Sequence, residues 1–184
     1  MRKQYNYWWL NVFVFISFGI IACTSTSTLN SNEIYTIVKA LGDESTRETA
    51  YNQLSDIGAP ALPSLVEAIA SDTNVEVRRH AVILTFGMLS IHPKTMNQVR
   101  SSPNDIPPLV EKLIPALSDP DEMVRNGIPD LLQGFSLFAG PEIFQQKILP
   151  QLEQAQKSEN ELIREGVEKS LKKLPPIFFP ATNN

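Results

Sequence analysis

Histidine and cysteine are nearly missing from this chain, with two of the first and one of the second among 184 residues. His80 follows Arg79 in an apolar stretch and His92 precedes Pro93. Neither has a second histidine or a cysteine at zinc-ligand spacing. A glycine-rich phosphate loop and a Gly-x-Ser-x-Gly elbow are also absent. The acidic run Asp119-Pro120-Asp121-Glu122 lacks the glycine and the length of a calcium loop, and reads as capping and helix-dipole charge. No catalytic residue, metal ligand or cofactor is therefore nominated, and an enzyme is the less favoured class. Strand signals are scarce too: alternating apolar–polar runs are missing outside the N-terminus, which leaves an all-α chain.

Positive charge is the other shortage. Arg2 and Lys3 are the only charges before Cys23; without them 14 basic residues face 20 acidic ones, a net charge of −6. An acidic body is wrong for nucleic acid, whose phosphates demand a basic footprint. It is equally wrong for polybasic attachment to a membrane.

What the chain does have is a repeated phrase. Ser118 to Phe135 reads SDPDEMVRNGIPDLLQGF, and 47 residues earlier Ser71 to Phe86 reads SDTNVEVRRHAVILTF. Asp119 is expected to cap a helix, with Pro120 at its first position and Glu122 three residues after the cap. Val124, Ile128, Leu131 and Phe135 then mark one buried face. Pro60 and Pro107 precede Asp72 and Asp119 by 12 residues, and Arg78 and Arg125 follow them by 6. Each unit is thus a proline-started helix, a turn and a capped second helix. Weaker copies flank these two. One starts at a Ser158–Glu161 capping box with Arg164, Val167 and Leu171 behind it. The other has Ser45 and Glu48 with Ala50, Leu54 and Ile57, but its Arg47 sits before the glutamate. Asn32 is expected to cap the first helix, and Gly42 and Gly58 to end the first two.

The aspartates, the Val-Arg pairs and the lead-in Ile57-Gly58-Ala59-Pro60-Ala61-Leu62-Pro63 together resemble HEAT and HEAT-like repeats, over about Glu33 to Leu174. The resemblance implies an α-solenoid of about four antiparallel helix pairs, each burying its stripe against its neighbours. It also implies that Asp72, Arg78, Asp119 and Arg125 form a structural ladder between repeats. One departure stands out: Pro129 lies inside the second helix of the third unit, where its ring opposes the carbonyl of Arg125 and predicts a kink.

The N-terminus carries an address. Met1-Arg2-Lys3 precedes the apolar run Tyr7 to Ala22, which as a helix spans about 24 Å, short of a bilayer core. A charged start, an apolar core and a small residue before a polar break describe a secretory signal. Ile20-Ile21-Ala22-Cys23 resembles the lipobox of bacterial lipoproteins. That resemblance implies a cut before Cys23, a lipidated thiol and an acylated amino group, and two or three acyl chains hold firmly where one is marginal. Isoleucine at the third position before the cysteine, and the bulk of Ile21, depart from the commoner lipobox. An uncleaved anchor helix and an ordinary secretory signal are the alternatives. Thr24 after the cysteine is not the aspartate that resembles an inner-membrane retention signal. In a two-membrane cell this leans toward the outer membrane. The division expected is a signal over 1–22, the lipidated cysteine with a polar tether over 23–32, repeats over 33–174 and a proline-rich tail over 175–184.

The second helix of unit two differs from its counterparts. Five and eight residues after the shared arginine come Ile83 and Phe86, where the later units have Asp130 and Gln133, then Lys169 and Lys172. An extra apolar side means burial or a binding patch. The insertion Ser90 to Asp105 is expected as a surface loop that either folds over Ile83 and Phe86 or joins them in a partner surface. Phe178 and Phe179 are expected to cover the last helix pair or to protrude as a hook. The function expected is a membrane-anchored scaffold or adaptor on the extracytoplasmic side, binding a protein partner through Arg79, Ile83, Phe86, Asp130 and Gln133. The runner-up is an enzyme accessory or a protein similar to the bilin lyases, whose HEAT-like repeats attach pigments.

Overall fold

The computed structural model describes residues 29–179, and over that span it is all-helical, with no strand among the described residues. Cys23, the signal and most of the tether lie outside the described residues. Nine α-helices follow in order: α1 (Ser31–Lys39), α2 (Glu44–Ile57), α3 (Leu62–Ser71), α4 (Val75–Ser90), α5 (Pro93–Ser101), α6 (Ile106–Leu113), α7 (Glu122–Ile143), α8 (Leu149–Ala155) and α9 (Glu161–Lys172). Short 3-10 turns join them, and a π-turn runs from Phe144 to Ile148. None of the described helices is long and apolar enough to cross a membrane.

Helices α2, α4, α7 and α9 all begin in the same way. Asp43, Asn74, Asp121 and Asn160 sit in extended conformation as N-caps, each accepting a backbone N–H from the first turn. Four residues on, Arg47, Arg78, Arg125 and Arg164 each reach back to the carbonyl six residues before them. These bonds fall on Leu41, Asp72, Asp119 and Ser158 at 2.7–3.0 Å. The arginine thereby satisfies a carbonyl of the preceding turn and fixes the angle at which the chain enters the helix. Arg47, out of register with its glutamate, is in register with its turn.

The caps are therefore not where the capping boxes placed them. Asp119 is replaced by Asp121, Ser158 by Asn160, Ser45 by Asp43 and Asn32 by Asn30. Asp119 and Ser158 instead turn the chain just before the helix, accepting from the amides of Asp121 and Asn160. The expected break at Pro129 is also displaced. Backbone dihedrals stay helical through Pro129, and α7 is interrupted only at Gly140, at φ 78° and ψ 164°. That positive φ is one that only glycine adopts cheaply.

Packing follows chain order. Helices α1, α3 and α6 adjoin successively, as do α4, α7 and α9, and each first helix packs on its own second one. The buried faces are those of the stripes: Ile34, Val38 and Leu41; Leu65 and Ile69; Val124, Ile128, Leu131 and Phe135. Inner helices approach closely where a glycine stands. A Cβ on Gly127 would lie 2.4 Å from Val82 Cγ1, and one on Gly166 would lie 2.4 Å from Leu117 Cδ2.

One sequence expectation changes here. The 90–105 insertion is not a loop but the helix α5, with Thr95 and Val99 buried. It packs on α4, on the 3-10 turn that leads into α3, where Gln98 Oε1 accepts from the Ala59 amide at 2.9 Å, and on α7, where Arg100 lies over the Phe138 ring. Phe178 and Phe179 fold onto the body rather than protrude: Phe178 is buried edge-on against Phe144, centroids 5.4 Å apart, and Phe179 flanks the same ring.

Candidate functional site

The apolar excess of α4 is real exposure rather than hidden core. Val77, Ala81, Leu84, Thr85 and Met88 fill the buried side of α4, while Ile83 is 40% and Phe86 49% exposed. Met123, at the start of α7, is 48% exposed beside them. With Val82, Asn126 and Asp130 these three line an open groove of about 490 Å3 between α4 and α7, floored by Gly127. Residues 91–105 do not line it: α5 packs on α4, on the 3-10 turn before α3 and on α7. The expectation that the insertion covers Ile83 and Phe86 fails, since both side chains stay exposed.

The five residues nominated from sequence part company. Ile83 and Phe86 form the groove wall and Asp130 its rim, with its carboxylate bonded to Lys173 Nζ. Arg79 is held inside the chain, between Asp121 at 2.6 Å and Glu76 at 2.7 Å. Gln133 donates to the Lys173 carbonyl at 3.1 Å and does not line the groove. Met123 and Asn126 were missed. Met123 lies two residues before Arg125 on the turn entering the helix, so only the cap geometry aims it at α4.

The four residues assigned to a ladder make one arginine–aspartate rung between units. Arg78 Nε and Nη2 donate to the two carboxylate oxygens of Asp119 at 2.8 and 3.1 Å, with both side chains largely buried. Asp72 is met instead by Lys39 Nζ at 2.8 Å and by the Tyr35 hydroxyl at 3.3 Å. Burial pushes the Asp72 carboxyl up, but Lys39, the Asn74 amide and Tyr35 outweigh it and hold the pKa below its ordinary value. Arg125 meets no carboxylate among the described residues, since Ser158 stands where the next aspartate would be.

A second rung does couple to protons. The Arg79 guanidinium, helped by the Val124 amide, draws the Asp121 carboxyl down to about 2. A carboxyl whose folded pKa is depressed stabilises above its unfolded value near ~3.9 and loses that contribution as pH falls toward the folded value. Asp121→Asn keeps an oxygen for the cap and loses the charge. It is expected to melt below wild type at pH 7, with the gap closing between pH 4 and pH 2 in a calorimetric series. A gap that persists at pH 2 would assign the loss to the cap instead.

A second cleft, about 350 Å3, lies between α3, α5 and α6, lined by Ala59, Pro60, Leu62, Gln98, Val99 and Ile106. Nothing in the sequence marked it, because the insertion helix that walls it was expected as a loop. The histidines are bound within the fold: His80 Nδ1 lies 3.0 Å from the Tyr51 hydroxyl, and His92 Nδ1 lies 3.0 Å from Thr95 Oγ1. Burial keeps the His80 pKa below its ordinary value. Among the described residues no three His, Cys, Asp or Glu side chains come together as a metal site. Comparison with known proteins adds no family, since no family model and no curated protein matches the chain.

Proposed function

We propose that this protein is a lipid-anchored scaffold or adaptor of the cell envelope, built as an α-solenoid of four HEAT-like helix pairs and facing the extracytoplasmic side. The observation that carries the binding role is the uncovered groove of Ile83, Phe86 and Met123. Three large apolar side chains left together in water, lining one groove and rimmed by polar ones, support a partner surface there. The solenoid is supported by the fourfold recurrence of cap and arginine clip, and by helices that adjoin in chain order. The address rests on Ile20-Ile21-Ala22-Cys23 and the Ser/Thr-rich tether after it. Thr24 favours the outer membrane in a host with two.

Phe86→Asp tests the groove. Because half of Phe86 already faces water, the variant is expected to unfold at the same urea concentration as wild type. It is also expected to lose the partner captured by the wild-type chain from an envelope extract. Unfolding of the variant would make Phe86 a core residue and remove the binding surface. Cys23→Ser tests the anchor: incorporation of a fatty-acid probe is expected to vanish, and continued labelling would dismiss the lipoprotein.

A second reading, a ligand-handling accessory protein, is favoured by the cleft beside α5, whose size suits a small molecule. A pigment or other small ligand that copurifies and is lost on Val99→Trp would support it.

A further inference from the structure

The groove between α4 and α7 has a charged continuation one repeat further on. Counted from the clip arginines, Val82 corresponds to Pro129, Met123 to Leu162, Gly127 to Gly166 and Asp130 to Lys169. The junction of α7 with α9 accordingly forms a notch of about 80 Å3, lined by Arg125, Pro129, Leu162, Gly166, Lys169 and Lys173. Asn126 lines both sites, so groove and notch meet along the exposed side of α7.

The notch is short of negative charge. Arg125 spends Nη1 on the carbonyls of Asp119 and Pro120, and its Nε and Nη2 have no partner among the described residues. In the preceding unit those same atoms of Arg78 grip Asp119; here Ser158 offers no carboxylate. Lys169 is exposed and has no ion-pair partner among the described residues. Lys173 is neutralised by Asp130, and Glu165 is the carboxylate in the lining. A positive notch on a chain of net charge −4 is a local reversal of the surface.

Resting on the scaffold reading above, we infer that the partner segment seated on Ile83, Phe86 and Met123 is a peptide carrying a carboxylate, which enters the notch beside Arg125 and Lys169. The geometry asks for an apolar anchor and an acid a few residues apart. A guanidinium with two free donors prefers a planar carboxylate, which can take both. A surface of anionic lipid offers anions too, but it repels the acidic body as a whole.

The test pans a displayed dodecapeptide library on the full chain held in mild detergent, then measures fluorescein-labelled copies of the selected peptides by anisotropy. Selected peptides are expected to pair an aliphatic or aromatic residue with Asp or Glu. Replacing that acid by its amide should weaken binding about tenfold, the worth of one charge-assisted bond. Since Arg125 also ties the start of α7, Lys169→Glu is the decisive variant. It should weaken the acidic peptide about tenfold and leave the amide peptide unchanged, while Phe86→Asp abolishes both. If Phe86→Asp abolishes binding while the amide exchange and Lys169→Glu change nothing, the groove stands and the acidic partner is overturned. If no peptide is selected, or Phe86→Asp leaves binding intact, the groove itself falls and takes this inference with it. Lys169-dependent binding to phosphatidylglycerol vesicles without peptide binding would assign the notch to lipid and overturn the peptide.

Discussion

Arg78→Met is expected to destabilise the protein by about 3 kcal/mol, read as a shift of the urea midpoint at constant slope. The size comes from what the change strands. Asp119 and Arg78 have side chains only 9% and 12% exposed, and the pair is bidentate. Methionine fills the space of the stem but leaves the Asp119 carboxylate with the Asp121 amide as its remaining donor. It also frees the Asp72 carbonyl that Arg78 Nη1 holds at 2.8 Å. Adding Asp119→Asn removes the stranded charge and keeps an acceptor for that amide, so the double variant should recover more than half of the loss. A cost below about 1 kcal/mol for Arg78→Met would class the rung with surface ion pairs.

Phe178→Ala is expected to cost a similar amount, about 3 kcal/mol, at the low end for a buried phenylalanine because the site lies at the edge of the core. Phe178 is 5% exposed and meets the fully buried Phe144 edge to face. Such an aromatic contact adds about 1 kcal/mol beyond area burial. Ending the chain after Leu174 removes both Phe178 and Phe179 and should cost at least as much. A truncated chain as stable as wild type would return the tail to the role of a free hook. Phe86→Asp offers the contrast within the same molecule: a phenylalanine half in water, whose loss leaves stability alone.

The two phenylalanines show why some of the architecture was legible in the sequence and some was not. Stripes such as Val124, Ile128, Leu131 and Phe135 obey a helical period, and every one of the four is fully buried. Their burial follows from local geometry, so a window of residues suffices to read it. At α7 the cap was placed two residues off because Asp119 and Asp121 are equally able to accept an amide. The choice falls to Arg78, a partner 41 residues away that claims Asp119. Ile83 and Phe86 were noticed from their departure from the repeat, but Met123 was not. Its place beside α4 is set by the cap at Asp121 that starts α7, not by the apolar period.

By itself the sequence determined the all-α class, the buried stripes of the repeated helices and the excess of acidic over basic residues. All of these rest on composition or on spacings within a turn or two. The tertiary structure alone decided that the insertion is a helix that does not line the groove, that Phe178 packs on Phe144, and that Arg125 has no carboxylate partner among the described residues. These outcomes depend on which distant side chain arrives first at a shared surface. That is a competition between burial and hydrogen bonding that no local pattern encodes.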